Sequence, residues 1–113
     1  MSPFSTASYA SPREGYFLKA SFYSSGSRTA SGEHFNQYGF TAASRTLPFG
    51  TRLCVTNPET GRSVVVRIND RGPFVRGRDL DLARGAAVAL GMIERGTATL
   101  KIVRLSRSVS ISL

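Results

Sequence analysis

Six carboxylates stand between positions 16 and 106 of this 113-residue chain, which has one histidine and one cysteine: Glu33, Glu59, Asp70, Asp79, Asp81 and Glu94. That inventory narrows the chemistry. His34 has no identifiable nucleophile as a partner, so a triad of the serine or cysteine kind lacks its parts. Cys54, between Leu53 and Val55, reads as an inert, buried strand thiol, and no CxxC or Cys/His cluster could hold a metal. No glycine-rich phosphate cradle is present. Acid–base work by carboxylates is what remains. Glu59 falls in a polar turn and Glu94 beside Arg95, ordinary settings for solvated charges. Glu33 closes Thr29-Ala30-Ser31-Gly32-Glu33, and Asp70 stands where an apolar run ends in Asn69-Asp70-Arg71-Gly72-Pro73. An acid at a strand end beside glycine is well placed to reach a cleft. Turn capping, or an Asp–Arg pair, explains either residue alone equally well.

Cleavage of a glycosidic bond gives a reason for both. It needs an acid to protonate the leaving oxygen and a second group to stabilise an oxocarbenium-like transition state. Burial raises a carboxyl pKa and a neighbouring arginine lowers it. Glu33, with only Arg28 close in sequence, is therefore expected as the acid, and Asp70, beside Arg71, as the ionised partner.

These residues need elements to position them. Residues 1–15, rich in Ser, Pro and Ala, read as a flexible tail or linker, 16–106 as one domain, and 107–113 as a second tail. The first fifteen residues contain no charged n-region followed by an apolar stretch, so no secretion signal is visible in them. Phe17 to Tyr23 is expected as a first strand, followed by a Ser/Gly-rich loop to Gly32. The runs 51–56 and 62–69, separated by Asn57-Pro58-Glu59-Thr60-Gly61, predict a hairpin. Val64, Val66 and Ile68 then face one way, and Ser63, Val65 and Arg67 the other. A helix is expected over 82–90, with Asp81 as its N-cap and Gly91 just past its end. A last strand spans 97–105.

Of the net charge of +8, +7 falls on residues 16–106, because Arg13 and Glu14 cancel in the first fifteen residues and Arg107 lies in the second tail. Such a surface attracts polyanions: nucleic acid, anionic headgroups or a carboxylate-bearing polymer. Aromatics are not interleaved with the basic residues as a base-stacking platform requires, which counts against nucleic acid. No run approaches the ~18 apolar residues of a membrane span.

Nine ordered stretches carry a resemblance. They are Ala20-Ser21-Phe22-Tyr23, Thr29-Ala30-Ser31-Gly32-Glu33, Thr41-Ala42-Ala43, Leu47-Pro48-Phe49-Gly50-Thr51, Val55-Thr56-Asn57, Gly61-Arg62-Ser63-Val64-Val65-Val66, Asn69-Asp70-Arg71-Gly72-Pro73-Phe74, Asp81-Leu82 and Ala89-Leu90-Gly91. In this order, over residues 18–105, the chain resembles the rare lipoprotein A family. The resemblance implies a mainly β fold, a six-stranded double-psi β-barrel with one or two short helices. It also implies a lytic transglycosylase of the bacterial envelope, which cuts the MurNAc–GlcNAc bond of peptidoglycan without water and leaves 1,6-anhydro-MurNAc ends.

Carried over by position, Glu33 and Asp70 are the expected catalytic carboxylates, and Tyr23, Ser44, Arg71 and Asp81 the expected substrate contacts. No metal or cofactor enters such a reaction. The expected partner is the peptidoglycan glycan strand, met in the periplasm or outside the cell by a monomer, without nucleic acid and without membrane insertion. The chain departs from the pattern at Ser44, where many members carry histidine; serine can hydrogen-bond a sugar but holds no charge near neutrality. Expansin-type barrels place a key aspartate in a setting like that of Asp81, although N-capping is the commoner use of such a residue. The alternative function is a non-catalytic, expansin-like glycan-binding barrel. Arg45, Arg67, Arg71, Arg76 and Arg78 would serve either function by gripping muramic or stem-peptide carboxylates.

Overall fold

The hairpin at the centre of the chain forms as its residues dictate. In the computed structural model, which describes residues 15–106, strands β3 (Arg52–Asn57) and β4 (Arg62–Asp70) pair antiparallel from Arg52↔Arg67 to Asn57↔Arg62. Gly61, at φ +77°, closes the turn and donates its N–H to the Asn57 carbonyl. Val66 and Ile68 are fully buried and Val65 faces out, the period-2 pattern of a strand with one apolar face. Cys54 lies on the outer side of β3 and is half-buried, which corrects the expectation of a buried thiol.

The other strands are β1 (Gly15–Tyr23), β2 (Thr41–Ala43), β5 (Leu80–Ala83) and β6 (Ala98–Arg104). All six close into a barrel in the order β1-β5-β2-β4-β3-β6. The β1–β5 and β2–β4 pairs are parallel and the rest antiparallel. Closure leaves no long unpaired edge. β1 starts two residues earlier than expected, since its pairing with β6 runs on to Gly15↔Val103. The expected tails over 1–14 and 107–113 lie outside the described residues.

Leu53, Val55, Val66, Ile68, Leu80, Leu82, Leu100 and Ile102 fill the barrel, each fully buried. Helix α1 (Arg84–Leu90) adds Ala86, Ala87 and Leu90 to the same core. Gly91, in the left-handed conformation, ends it as expected. Its start differs. Residues 80–83 are strand, the N-cap is Ala83 and no side chain caps it, so Asp81 is no helix cap. The register explains this: Asp81 pairs with Ser21 on β1 and with Ala43 on β2, and two ladders outweigh one capping bond.

Two features of this frame set up the site. Ala43 is paired to Asp81 on one side and to Asp70 on the other, so both aspartates sit in one row across β5, β2 and β4. Their backbones are two strand spacings apart, roughly 10 Å. On β4 the pairing to β2 jumps from Ile68 to Asp70, which leaves Asn69 as the extra residue of a β-bulge. Ile68 and Asn69 are consequently buried in succession, and the bulge re-aims the end of the strand.

Candidate functional site

Asp70 is the hub of the row. Its Oδ1 accepts from the Ala30 N–H at 2.8 Å and from the Arg71 N–H at 2.9 Å, and its Oδ2 from the Tyr23 hydroxyl at 3.0 Å. One carboxylate thus ties together the end of β1, the loop 24–40 and the end of β4. Ser31 N–H donates to the Asn69 carbonyl and Ser44 N–H to that of Asp70, which brings the Glu33 loop and the β2 end to the same place. The Tyr23 ring stacks on Phe35 with centroids 4.8 Å apart. Burial, then the charges and bond of Asp70, push the Tyr23 hydroxyl pKa well above its usual range, so it stays a neutral donor.

Glu33 and Asp81 have opposite surroundings. Arg67 grips the Glu33 carboxylate with both guanidinium nitrogens, Nη2 lying 3.0 Å from Oε1, and Asn69 Nδ2 donates to Oε1 at 3.2 Å. The Arg67 bonds first, then that of Asn69, hold the Glu33 pKa down to about 2. Glu33 is therefore ionised, which reverses the expectation that it is the acid. Its partner stands on the facing strand, 34 residues away, and not on Arg28, which instead bonds the Gly32 carbonyl. Asp81 is half-buried. Desolvation raises its pKa, and the charge of Asp70 adds to this; a 2.7 Å bond from Ser21 Oγ and the charge of Arg78 act the other way without cancelling it. Asp81 is the carboxyl whose surroundings favour carrying a proton.

Three other expected contacts are engaged inside the protein. Arg71 points away from the Asp70 carboxylate. Its Nη1 donates to the carbonyls of Ser44 and Leu47, and the guanidinium lies 4.0 Å over the Phe49 ring. Arg45 bonds the carbonyls of Pro73 and Arg78 and reaches Asp79, so it braces the 73–79 loop. With Arg67 on Glu33, these three arginines already have internal partners and need no substrate carboxylate. Ser44 is buried, and its Oγ accepts from the N–H groups of Thr46 and Leu47, the geometry of a serine turn. Ser44→Ala is accordingly expected to cost ~1 kcal/mol in urea unfolding, the worth of lost turn bonds. Full stability in the variant would instead mean that the hydroxyl does not hold the turn.

Sequence reasoning missed Arg67 and Asn69 as partners of Glu33, because only the fold brings residues 33, 67 and 69 together. The one available signal was the run Arg67-Ile68-Asn69-Asp70, whose alternation would set Arg67 and Asn69 on one face of β4; the bulge leaves Arg67 exposed and buries Asn69. Asn69 Oδ1 is buried and has no hydrogen-bond partner, a cost of ~1–3 kcal/mol. Among the described residues no three His, Cys, Asp or Glu side chains gather as metal ligands. A cavity of about 430 Å³, bounded by Asn57, Glu59, Val88, Met92 and Arg95, lies at the far end of α1 from Asp81. Glu59 there pairs with Arg95 at the surface, and no acid and base face each other.

Residues 17–102 match the family described as lytic transglycolase. The probable endolytic peptidoglycan transglycosylase RlpA of Nostoc sp. is 59% identical over 93 residues, which are 78% of this chain and 25% of that protein. The endolytic peptidoglycan transglycosylase RlpA of Pasteurella multocida is 46% identical over 98 residues, 82% of this chain and 33% of that protein. The chain thus spans a quarter to a third of the length of these relatives. Among solved structures, a Streptomyces papain inhibitor has a TM-score of 0.67 at 19% identity, covering 81% of this chain and 94% of its own. The apo expansin of Clavibacter michiganensis also has a TM-score of 0.67, at 22% identity, covering 82% of this chain and 51% of its own. At such identities the two structures show the shared barrel fold alone.

Proposed function

We propose that this chain, which belongs to the RlpA family of double-psi β-barrel lytic transglycosylases, cleaves the MurNAc–GlcNAc bond of peptidoglycan and leaves 1,6-anhydro-MurNAc ends. The observation that carries the reading is the contrast between two carboxyls tied to one network: Glu33 held ionised by Arg67, and Asp81 pushed toward its protonated form by burial and Asp70. Titratable groups driven apart by their surroundings are what acid–base cleavage requires. Asp81 gives its proton to the glycosidic oxygen as the bond from C1 breaks. Glu33 and Asp70 supply negative charge against the oxocarbenium-like centre. The C6 hydroxyl oxygen then bonds to C1, and its proton returns to Asp81, so no water is consumed. Tyr23 keeps Asp70 in place through its hydroxyl. The chain acts as a monomer in the bacterial envelope, where its proposed substrate lies.

A second reading, a glycan-binding barrel without catalysis, is favoured by Ser44, which stands at the family histidine position and is turned into its own loop. One assay separates the two. Incubation with purified glycan strands and mass spectrometry of the products is expected to give anhydro-muropeptides. Absence of product from a protein that still sediments with sacculi would leave only the binding reading.

A further inference from the structure

Asn69 is only 3% exposed, yet one of its two amide atoms, Oδ1, has no partner, while Nδ2 is spent on Glu33. The reversed amide would set oxygen against the Glu33 carboxylate, so the side chain is oriented for an anion at Glu33 and not for its own satisfaction. Arg67, two residues earlier on the same side of the β4 bulge, meets that carboxylate in the planar two-nitrogen arrangement that fixes orientation as well as charge. We propose that Arg67 and Asn69 are positioning residues for the reaction: together they fix the plane of the Glu33 carboxylate and keep it ionised, so that Glu33 is an electrostatic stabiliser and the proton donor must be another group. This rests on the transglycosylase reading for its role in catalysis, but not for its statement about Glu33 itself.

The charged and titratable groups around Glu33 are few. From β4 come Arg67 and, at its end, Asp70; from the loop come Arg28, committed to the Gly32 carbonyl, and His34, bridged to Arg28 through the backbone. Arg67 is the one whose guanidinium touches the carboxylate, and at 45% side-chain exposure it is replaceable without opening the core.

The test titrates the Glu33 carboxyl by NMR in protein labelled with ¹³C-glutamate, for wild type, Arg67→Gln, Arg67→Lys and Asn69→Ser. Wild type is expected to titrate near 2. Arg67→Gln is expected to raise the midpoint by more than one unit toward the ordinary ~4.3 of glutamate, a change of over tenfold in proton affinity. Arg67→Lys should fall between, because a point charge cannot engage both oxygens, and Asn69→Ser should shift it less. In the cleavage assay the acidic limb of kcat/KM should move up with the midpoint across the series. A merely structural role would lower Tm without moving either midpoint. An ordinary wild-type midpoint, or one indifferent to Arg67→Gln, overturns the proposal. If no variant or wild type makes product while the titration behaves as stated, the assignment of Glu33's charge stands and the transglycosylase reading fails alone.

Discussion

Replacing Asp81 by asparagine is expected to reduce anhydro-product formation by ~10²–10⁴-fold, the usual contribution of a positioned general acid, while leaving the barrel at least as stable at neutral pH. The stability half follows from the sign of the shift. Asp81's folded-state pKa is raised, so the folded protein binds its proton more tightly than the unfolded chain does. Stability conferred by the protonated form is therefore lost as pH rises from the ordinary ~3.9 through the raised value. Asparagine never ionises, still offers Ser21 Oγ an acceptor, and removes the repulsion from Asp70. Chemical unfolding at pH 4 and pH 7 checks this: the advantage of the variant should grow with pH. Full activity in Asp81→Asn would assign the proton to another carboxyl. Lost activity together with a large loss of stability at pH 7 would instead mark Asp81 as structural.

Gly85→Ala is expected to destabilise the protein by about 2–3 kcal/mol and to impair the site from a distance. Alanine is the better helix former by ~1 kcal/mol, so a helical glycine would ordinarily gain from the change. Here a Cβ would run into the Tyr38 carbonyl oxygen and carbon, both backbone atoms that cannot rotate aside. Gly85 N–H also donates to the Gln37 carbonyl at 2.7 Å, which presses the end of the 24–40 loop onto the first turn of α1. Overlap outweighs propensity, and the loop must lift. Because that loop carries Ala30 and Glu33, the bonds to Asp70 and Arg67 should weaken with it. The expected readings are a Tm several degrees lower, at ~4–8 °C per kcal/mol for a domain of this size, and reduced cleavage. A variant as stable as wild type would show that the loop and helix do not meet as described.

What the sequence revealed depended on how local each feature is. The β3–β4 hairpin was legible because a period of two over six and nine residues, broken by Asn57 to Gly61, admits few other readings. Gly91 was legible because a left-handed residue at a helix end leaves its mark in one position. Strands β2 and β5, of three and four residues, are too short to display a period. Asp81 was read as a cap for the same reason: its local preference was visible, while its pairing to Ser21 and Ala43 was not. Glu33 and Asp70 stood out by their glycine-flanked, strand-end settings, and the hydrogen-bond network does join their segments. The partner that holds Glu33 was not legible. The sequence puts Arg71 beside Asp70 and leaves Glu33 without a close arginine on β4, whereas the fold sends the Arg71 guanidinium to Phe49 and brings Arg67 to Glu33.

The bonds that hold the row together have a consequence for how the protein comes into being. Ser21 to Asp81 spans 60 residues, Tyr23 to Asp70 spans 47, Ala30 to Asp70 spans 40 and Arg67 to Glu33 spans 34. No stretch of chain holds an acid and its partners by itself, so a nascent or clipped polypeptide has no assembled centre. Folding dominated by such distant pairings is slow, on the ms–s scale. The assembled row therefore arrives only with barrel closure, and a fragment that loses β1 or β5 forfeits it at once. On the transglycosylase reading proposed above, activity is in this way withheld from any form of the chain whose barrel is not closed.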